Sequence, residues 1–203
     1  QGVTSVGNDT HGRSIVISAN GALESLEGLA AVSGSLLGSV VIQGNDRLLT
    51  LEGLQGVTSV GMDIDGRSIF ISGNGALRSL EGLAGVNGSL PGSLVIQGNA
   101  NLLTLEGLRG VTSVGRNHYG RSIFISGNGA LKSLEGLTGV KGSLPGKLVI
   151  EGNDNLPTLE GLRGVTSVGR NHYGRSIFIS GNGALKSLEG LAGVNCRLPG
   201  SLV

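Results

Sequence analysis

The chain has 203 residues, of which 39 are Gly, and its aromatic residues are three Phe and two Tyr, with no Trp. Fifteen basic residues against 14 acidic ones give a formal net charge of +1. Disordered chains carry a high net charge, and proteins that bind nucleic acid or anionic membranes need a basic surface, so this composition disfavours all three classes. Gly is not found at every third position, which excludes collagen. No apolar run reaches the length of a signal peptide or a membrane span.

An internal repeat organises the whole sequence. The string Gly-Val-Thr-Ser-Val-Gly begins at Gly2, Gly56, Gly110 and Gly164, a constant step of 54 residues. A shorter motif occurs twice in each 54 residues, with steps that alternate between 25 and 29, and it aligns eight apolar positions: Ile15, Val40, Ile69, Leu94, Ile123, Leu148, Ile177 and Leu202. Periods of this length are typical of stacked repeat architectures.

In chain order, each repeat predicts a strand and then tight corners. The alternating β-branched residues at 14–18 predict a strand with Ile15 and Ile17 inward and Ser14 and Val16 outward. The leucines at 23, 26 and 29 recur every third residue, which is too close for a long helix and suits the corners of a coil. We expect the glycine at 28 to supply backbone freedom at these corners.

After the corners, Val57 and Val60 of the next repeat predict a third, short side of the coil. The repeats therefore predict an all-β fold, one continuous β-solenoid over residues 1–203 with seven to eight coils of alternating length. At strand spacing, seven coils give a rod of about 34 Å. The sequence opens within a coil and stops within a strand at Val203 without a polar cap, so we expect a fragment of, or a protomer in, a longer array.

One asparagine follows every main strand. An Asn at this position can turn inward and bond the unpaired backbone groups of the corners above and below. We therefore predict a structural ladder made of Asn20, Asn45, Asn74, Asn99, Asn128, Asn153 and Asn182.

The segment Ser-Leu-Val-Ile-Gln-Gly-Asn-Ala-Asn-Leu-Leu-Thr-Leu-Glu-Gly-Leu, residues 93–108, resembles the repeat of leucine-rich and receptor-L-domain-like proteins. The likeness recurs in every coil. It implies a right-handed β-solenoid, frequently at a cell surface, used for binding or scaffolding and without catalytic residues to transfer. The near-perfect repetition and the lack of disulfide-bonded caps depart from receptor L domains and disfavour a receptor role.

A first candidate surface is the apolar column at the centre of the main strand. It consists of Val16, Val41, Phe70, Val95, Phe124, Val149 and Phe178, which we call the Phe/Val face. A serine column that starts at Ser14 and Ser39, with Lys147 in one coil, is expected to flank it on the outside. The face has two interpretations: β-forming residues that cover one another within the sheet, or a contact face for lateral assembly.

A second candidate surface is a hydroxyl column, made of Ser25, Thr50, Ser79, Thr104, Ser133, Thr158 and Ser187. Regularly spaced hydroxyls on a flat solenoid face suggest ice binding. A carboxylate column lies two residues further along, at Glu27, Glu52, Glu81, Glu106, Glu135, Glu160 and Glu189, and it counts against ice. We expect these carboxylates to accept backbone N–H bonds at the corners, with calcium bridging as an alternative.

A third candidate surface is a loop of four variable positions in each longer coil, at 8–11, 62–65, 116–119 and 170–173, which we call the bulges. Variation inside a rigid repeat indicates a surface loop. The candidate contacts are His118, Tyr119, Arg121, His172, Tyr173 and Arg175, which suit an acidic or sugar partner. A metal site is disfavoured because the two histidines belong to bulges about 10 Å apart.

The sequence contains no catalytic constellation and no cofactor motif. A repeat array presents the same surface many times, whereas catalysis needs one singular pocket. We therefore predict that the protein is not an enzyme and has no cofactor. Cys196 is the single cysteine, either a buried thiol or an intermolecular link. Asn8 and Asn87 begin glycosylation triplets.

We predict an extracellular structural scaffold or filament protein whose partners are copies of itself or other repeat proteins, joined end to end or laterally. The alternatives are an ice-binding protein and a carbohydrate- or protein-binding module, with no nucleic acid and no membrane insertion.

Overall fold

The computed structural model describes residues 3–195 and 199–202, so Cys196 and Val203 lie outside the described residues. The main side of the molecule is one eight-stranded parallel sheet in which every neighbouring strand belongs to the next coil. Its strands are β1 (Arg13–Ser18), β3 (Ser39–Gln43), β5 (Arg67–Ser72), β7 (Ser93–Gln97), β9 (Arg121–Ser126), β11 (Lys147–Glu151), β13 (Arg175–Ser180) and β14 (Ser201–Leu202).

The second side carries three two-stranded parallel sheets. They pair β2 (Gly34–Leu36) with β4 (Val57–Val60), β6 (Gly88–Leu90) with β8 (Val111–Val114), and β10 (Gly142–Leu144) with β12 (Val165–Val168). The third side is a stack of single 3₁₀ turns with the sequence Glu-Gly-Leu, at Glu27–Leu29, Glu52–Leu54, Glu81–Leu83, Glu106–Leu108, Glu135–Leu137, Glu160–Leu162 and Glu189–Leu191. The β-solenoid is thereby confirmed: 14 strands and, over the described residues, no α-helix. None of the described segments is a helix that could span a membrane.

The strand register confirms the alignment read from the sequence. Ile15 pairs with Val40, Val40 with Ile69, and the pairing continues through all eight aligned positions to Leu202. Apart from Leu202, which is exposed at the last edge of the sheet, these side chains point into a core of Leu, Ile and Val, and among the described residues no aromatic side chain belongs to that core. A coil this thin is filled by aliphatic side chains alone.

The serine column was predicted wrongly. Arg13, and not Ser14, pairs with Ser39, because the register shifts by one residue between Arg13 and Ile15. The resulting β-bulge turns the serine inward, where the Ser14 Oγ accepts a 2.8 Å hydrogen bond from the Gly38 backbone N–H. Five members of the column are fully buried: Ser39, Ser68, Ser93, Ser122 and Ser176.

The glycine of each 3₁₀ turn has a different role from the predicted one. Its φ is negative, so backbone freedom is not what the position requires. A Cβ added to Gly107 would lie 1.8 Å from the Leu80 carbonyl oxygen of the preceding coil, whereas one added to Gly28 meets nothing within 4 Å. The stack therefore needs glycine here because adjacent backbones touch. Positive φ is found at other glycines, for example at Gly44, which directly precedes Asn45 of the Asn ladder.

Candidate functional surfaces

The seven predicted asparagines form one continuous ladder of hydrogen bonds. The Asn74 backbone N–H and side-chain Nδ2 both donate to the Asn99 Oδ1, each at 3.1 Å. The same Nδ2 also donates to the Ile42 carbonyl of the preceding coil and to the Ser72 carbonyl of its own. Each of the five inner asparagines thus joins its own coil to the one before it and the one after it.

The Phe/Val face is largely covered by its own members. Val95 and Val149 lie between two phenylalanines, Val41 lies between Val16 and Phe70, and all three are only 3–6% exposed, while Val16, at the first edge of the sheet, is 45% exposed. The three phenylalanines are half-buried. Within the described residues, the face therefore exposes a large apolar side chain mainly at its end.

Cations cover the phenylalanine rings. The Arg67 guanidinium lies 5.0 Å from the Phe70 ring centroid and the Arg121 guanidinium lies 4.7 Å from that of Phe124. The Lys147 Nζ lies 4.5 Å from the centroid of Phe178. Distances in this range are those of cation–π contacts. The face consequently presents charge as well as apolar surface.

The predicted hydroxyl column lies just before the 3₁₀ turns, and several of its oxygens have local partners. The Thr104 Oγ1 accepts a hydrogen bond of 3.2 Å from the Glu106 N–H, and the Ser133 Oγ accepts one of 3.0 Å from the Glu135 N–H. The hydroxyl, and not the glutamate, is therefore the acceptor at the corner, contrary to our expectation for the carboxylates. The side chains are half-buried except for Ser25, which is exposed.

The glutamate column is paired by arginines in its second half. The Arg109 Nε lies 2.7 Å from a Glu106 carboxylate oxygen, and its Nη2 lies 3.9 Å from Glu135 in the next coil. Arg163 repeats this arrangement with Glu160 and Glu189. The repulsion between stacked carboxylates is reduced where an arginine alternates with them.

A second set of hydroxyls, on the short strands, was missed in the sequence. Each short strand carries a serine that points away from the core. In β4 the strand register shifts by one residue, which leaves Thr58 exposed beside the paired residues Ser35 and Ser59. The exposed members, one in each of six successive coils, are Ser35, Thr58, Ser89, Thr112, Ser143 and Thr166. The Thr-Ser pair inside Gly-Val-Thr-Ser-Val-Gly is the sequence signal that marks this row.

Each bulge is built around one polar side chain that sequence reasoning did not single out. The Asp63 Oδ1 accepts the backbone N–H groups of Asp65 and Arg67 at 3.0 and 2.8 Å. The Asn117 Oδ1 accepts those of Tyr119 and Arg121 in the same way, both at 3.0 Å. Asp9 and Asn171 occupy the same position in the other two bulges. An aspartate or asparagine therefore fixes the loop in all four.

Successive bulges touch one another across the shorter coil that separates them. The Ile64 N–H donates to the His11 carbonyl at 2.9 Å, and the His118 N–H donates to the Asp65 carbonyl at 2.9 Å. The His172 Nε2 donates to the His118 carbonyl at 2.5 Å. The predicted contact residues Tyr119 and Tyr173 are 64% and 88% exposed. The bulges thus form one continuous ridge along the solenoid.

The described residues contain no group of three or more His, Cys, Asp and Glu side chains able to hold a metal ion. No model of a known protein family matches the chain, and neither curated protein sequences nor solved structures provide a match.

Proposed function

We propose that the chain is a non-enzymatic, extracellular scaffold repeat protein that assembles through the ends of its main sheet. Both edge strands, β1 and β14, have a neighbour on one side only within the described residues. Such edges present free N–H and C=O groups that a further strand can pair with. The partner that fits best is the opposite end of a second copy, because it continues the parallel ladder.

The exposure of Val16 is the observation that carries this proposal. The valines in the same column inside the sheet have a paired strand on both sides and are almost fully covered, whereas Val16 has a paired strand on its inner side only. One more coil at this edge would cover it. Burial of this apolar area and pairing of the strand edge would both stabilise end-to-end association.

The remaining parts of the proposal rest on the sequence. The likeness of residues 93–108 to leucine-rich and receptor-L-domain-like repeats supports an assignment to that class and a place outside the cell. The repetition of every surface supports a structural or binding role over an enzymatic one, since catalysis needs a singular pocket.

Sedimentation velocity and negative-stain microscopy of the 203-residue chain test the proposal. We expect concentration-dependent, linear oligomers. The variant Val16→Lys places a charge on the exposed edge strand and should leave monomers. Gln43→Lys adds the same charge at an exposed position of the inner strand β3 and should assemble like the wild type. Uniform wild-type monomers at every concentration, or equal behaviour of the two variants, would contradict end-to-end assembly.

Ice binding is the second candidate function, and the row of exposed hydroxyls on the short strands favours it. These side chains recur once per coil, and Ser89 of the row accepts a 2.7 Å hydrogen bond from the Ser113 Oγ of the next coil. An assay of ice recrystallisation inhibition tests this candidate. Thr112→Tyr should abolish activity, whereas Thr138→Tyr, at an exposed threonine on the 3₁₀ side, should retain it. Absence of wild-type activity would rule this candidate out.

A further inference from the structure

The ridge of bulges changes its charge along the solenoid. In the first two bulges an aspartate neutralises the arginine that follows, since Asp9 Oδ2 lies 2.6 Å from the Arg13 Nη2 and Asp63 Oδ2 lies 2.9 Å from the Arg67 Nε. Asn117 and Asn171 stand at the same position in the third and fourth bulges and keep the backbone hydrogen bonds without the charge. The loop geometry is therefore conserved along the array while its neutralising carboxylate is lost.

The third and fourth bulges and the strands beside them carry five cations that form no ion pair within the described part of the chain: Arg116, Arg121, Arg170, Arg175 and the buried Lys147. Burial, followed by the nearby positive charges of Arg175 and Arg121, lowers the pKa of Lys147. Glu151, at the other end of the Lys147 strand, is the acid that partly offsets this field. The four arginines thus place positive charge on one region of the surface, and Lys147 lies buried on the strand between those of Arg121 and Arg175.

A groove lies between the third and fourth bulges, lined by Arg116, Arg170, Asn171, His172 and Gly174. Arg116 and Arg170 are exposed, and they are separated by two coils, about 10 Å along the axis. Tyr119 and Tyr173 recur at the same interval and are the most exposed aromatic side chains of the described residues. Exposed cations and exposed tyrosine rings therefore recur at the same interval along the solenoid axis.

We propose that this basic ridge, residues 116–121 and 170–175, binds a linear anionic polysaccharide laid along the solenoid axis. Guanidinium groups suit carboxylate and sulfate, and an exposed tyrosine ring offers an apolar face with a polar edge to a sugar ring. The polymer repeats its charge at a regular interval, as the ridge does. A net charge of only +1 gives the whole chain little long-range attraction for the denser charge of a nucleic acid. The inference is independent of the proposed assembly.

Binding of polygalacturonate, which carries carboxylates, and of dextran sulfate, measured by titration calorimetry at low and high salt, tests the inference. We expect at least one of the two to bind, to bind more weakly at high salt, and to outcompete neutral dextran. Which one binds tighter identifies the preferred anion. The double variant Arg116→Gln/Arg170→Gln should weaken binding about tenfold or more. Tyr119→Ala/Tyr173→Ala should weaken it as well while leaving the salt dependence in place.

Two further variants sharpen the test. Arg109→Gln/Arg163→Gln removes the same charge at the same interval from the 3₁₀ side, where both arginines are paired with glutamates, and should bind like the wild type. Asn117→Asp/Asn171→Asp restores the neutralised arrangement of the first half and should weaken binding with the fold retained. No binding of either polysaccharide, equal loss in the Arg109/Arg163 variant, or tighter binding of poly(dT) than of both polysaccharides would overturn the inference.

Discussion

At the scale of single residues, the role of the glycine in the 3₁₀ turn can be tested with the same substitution at two equivalent positions, one crowded and one open. Gly107→Ala places a Cβ against the backbone carbonyl of Leu80, which no side-chain rearrangement can relieve. We expect a loss of about 3 kcal/mol or more in the free energy of unfolding, measured by chemical denaturation. Gly28→Ala, in the first coil, adds the same methyl group to open space and should leave stability nearly unchanged. Equal effects of the two substitutions would contradict this role of the glycine.

Ala19 is the single residue other than glycine with a positive φ among those the structure describes, at 58°, where the later coils have glycine. An L side chain is disfavoured in this conformation. Ala19→Gly should therefore stabilise the fold by about 1 kcal/mol. A parallel Ala76→Gly substitution, at an alanine without this conformation, should give no gain in the thermal unfolding midpoint.

Asp9 predicts a local response to acid. The side-chain hydrogen bond from Arg13, supported by backbone N–H donors, lowers the pKa of Asp9 to about 2. A carboxyl with a depressed pKa stabilises the fold fully above its ordinary pKa of 3.8, and that contribution is lost as the pH falls toward 2. NMR titration should show the first bulge opening over this range. Asp9→Asn should keep the loop, as Asn117 does, and remove the pH dependence; an unchanged acid transition would contradict the assignment.

At the scale of elements, the Asn ladder couples neighbouring coils. Asn99→Ala removes the donor to the Ile71 and Gln97 carbonyls and the acceptor of the Asn74 N–H, all of them at buried or partly buried positions. Since unsatisfied buried groups are costly, we expect a loss of about 3 kcal/mol in unfolding free energy. Asn101→Ala, an exposed neighbour with a single hydrogen bond to the Gly75 carbonyl, should cost less than about 1 kcal/mol.

The sequence predicted those features of each element that depend on periodicity. The spacing of Ile15, Val40 and Ile69 predicted the register because the same inward apolar position of the main strand recurs once in every coil. The inward turn of Ser14 was not predictable, since a β-bulge changes the face of a residue without changing the pattern around it. The hydroxyl row that includes Thr112 was missed because its strand is only four residues long.

For the bulges as well, the sequence pattern predicted where the loops lie but not what their residues do. Variation at four positions located the loop, but it concealed that Asp9, Asp63, Asn117 and Asn171 perform one task, because aspartate and asparagine share the oxygen that the backbone N–H groups need. The charge difference between these two residue types becomes meaningful only when the structure places each of them beside its arginine.

At the scale of the whole molecule, we expect the double coil of 54 residues to be the unit of stability. Deletion of residues 56–109 joins Gln55 to Gly110, which preserves the alternation of long and short coils and the contacts between bulges. Deletion of residues 40–68 removes fewer residues but places two short coils together and eliminates the β2–β4 pair. We expect the shorter protein to be the more stable of the two in guanidinium denaturation monitored by circular dichroism. The opposite order would indicate that single coils are interchangeable.

The Asn ladder gives the rod a direction. Every step runs the same way, with the backbone N–H and Nδ2 of one asparagine donating to the Oδ1 of the next, from Asn20 to Asn182. One end of the ladder therefore offers an acceptor and the other a donor, and each end complements the opposite end of another copy rather than its own. Contacts of this kind are heterologous, so an end-to-end assembly is a polar filament with distinguishable ends and not a closed, two-fold symmetric dimer.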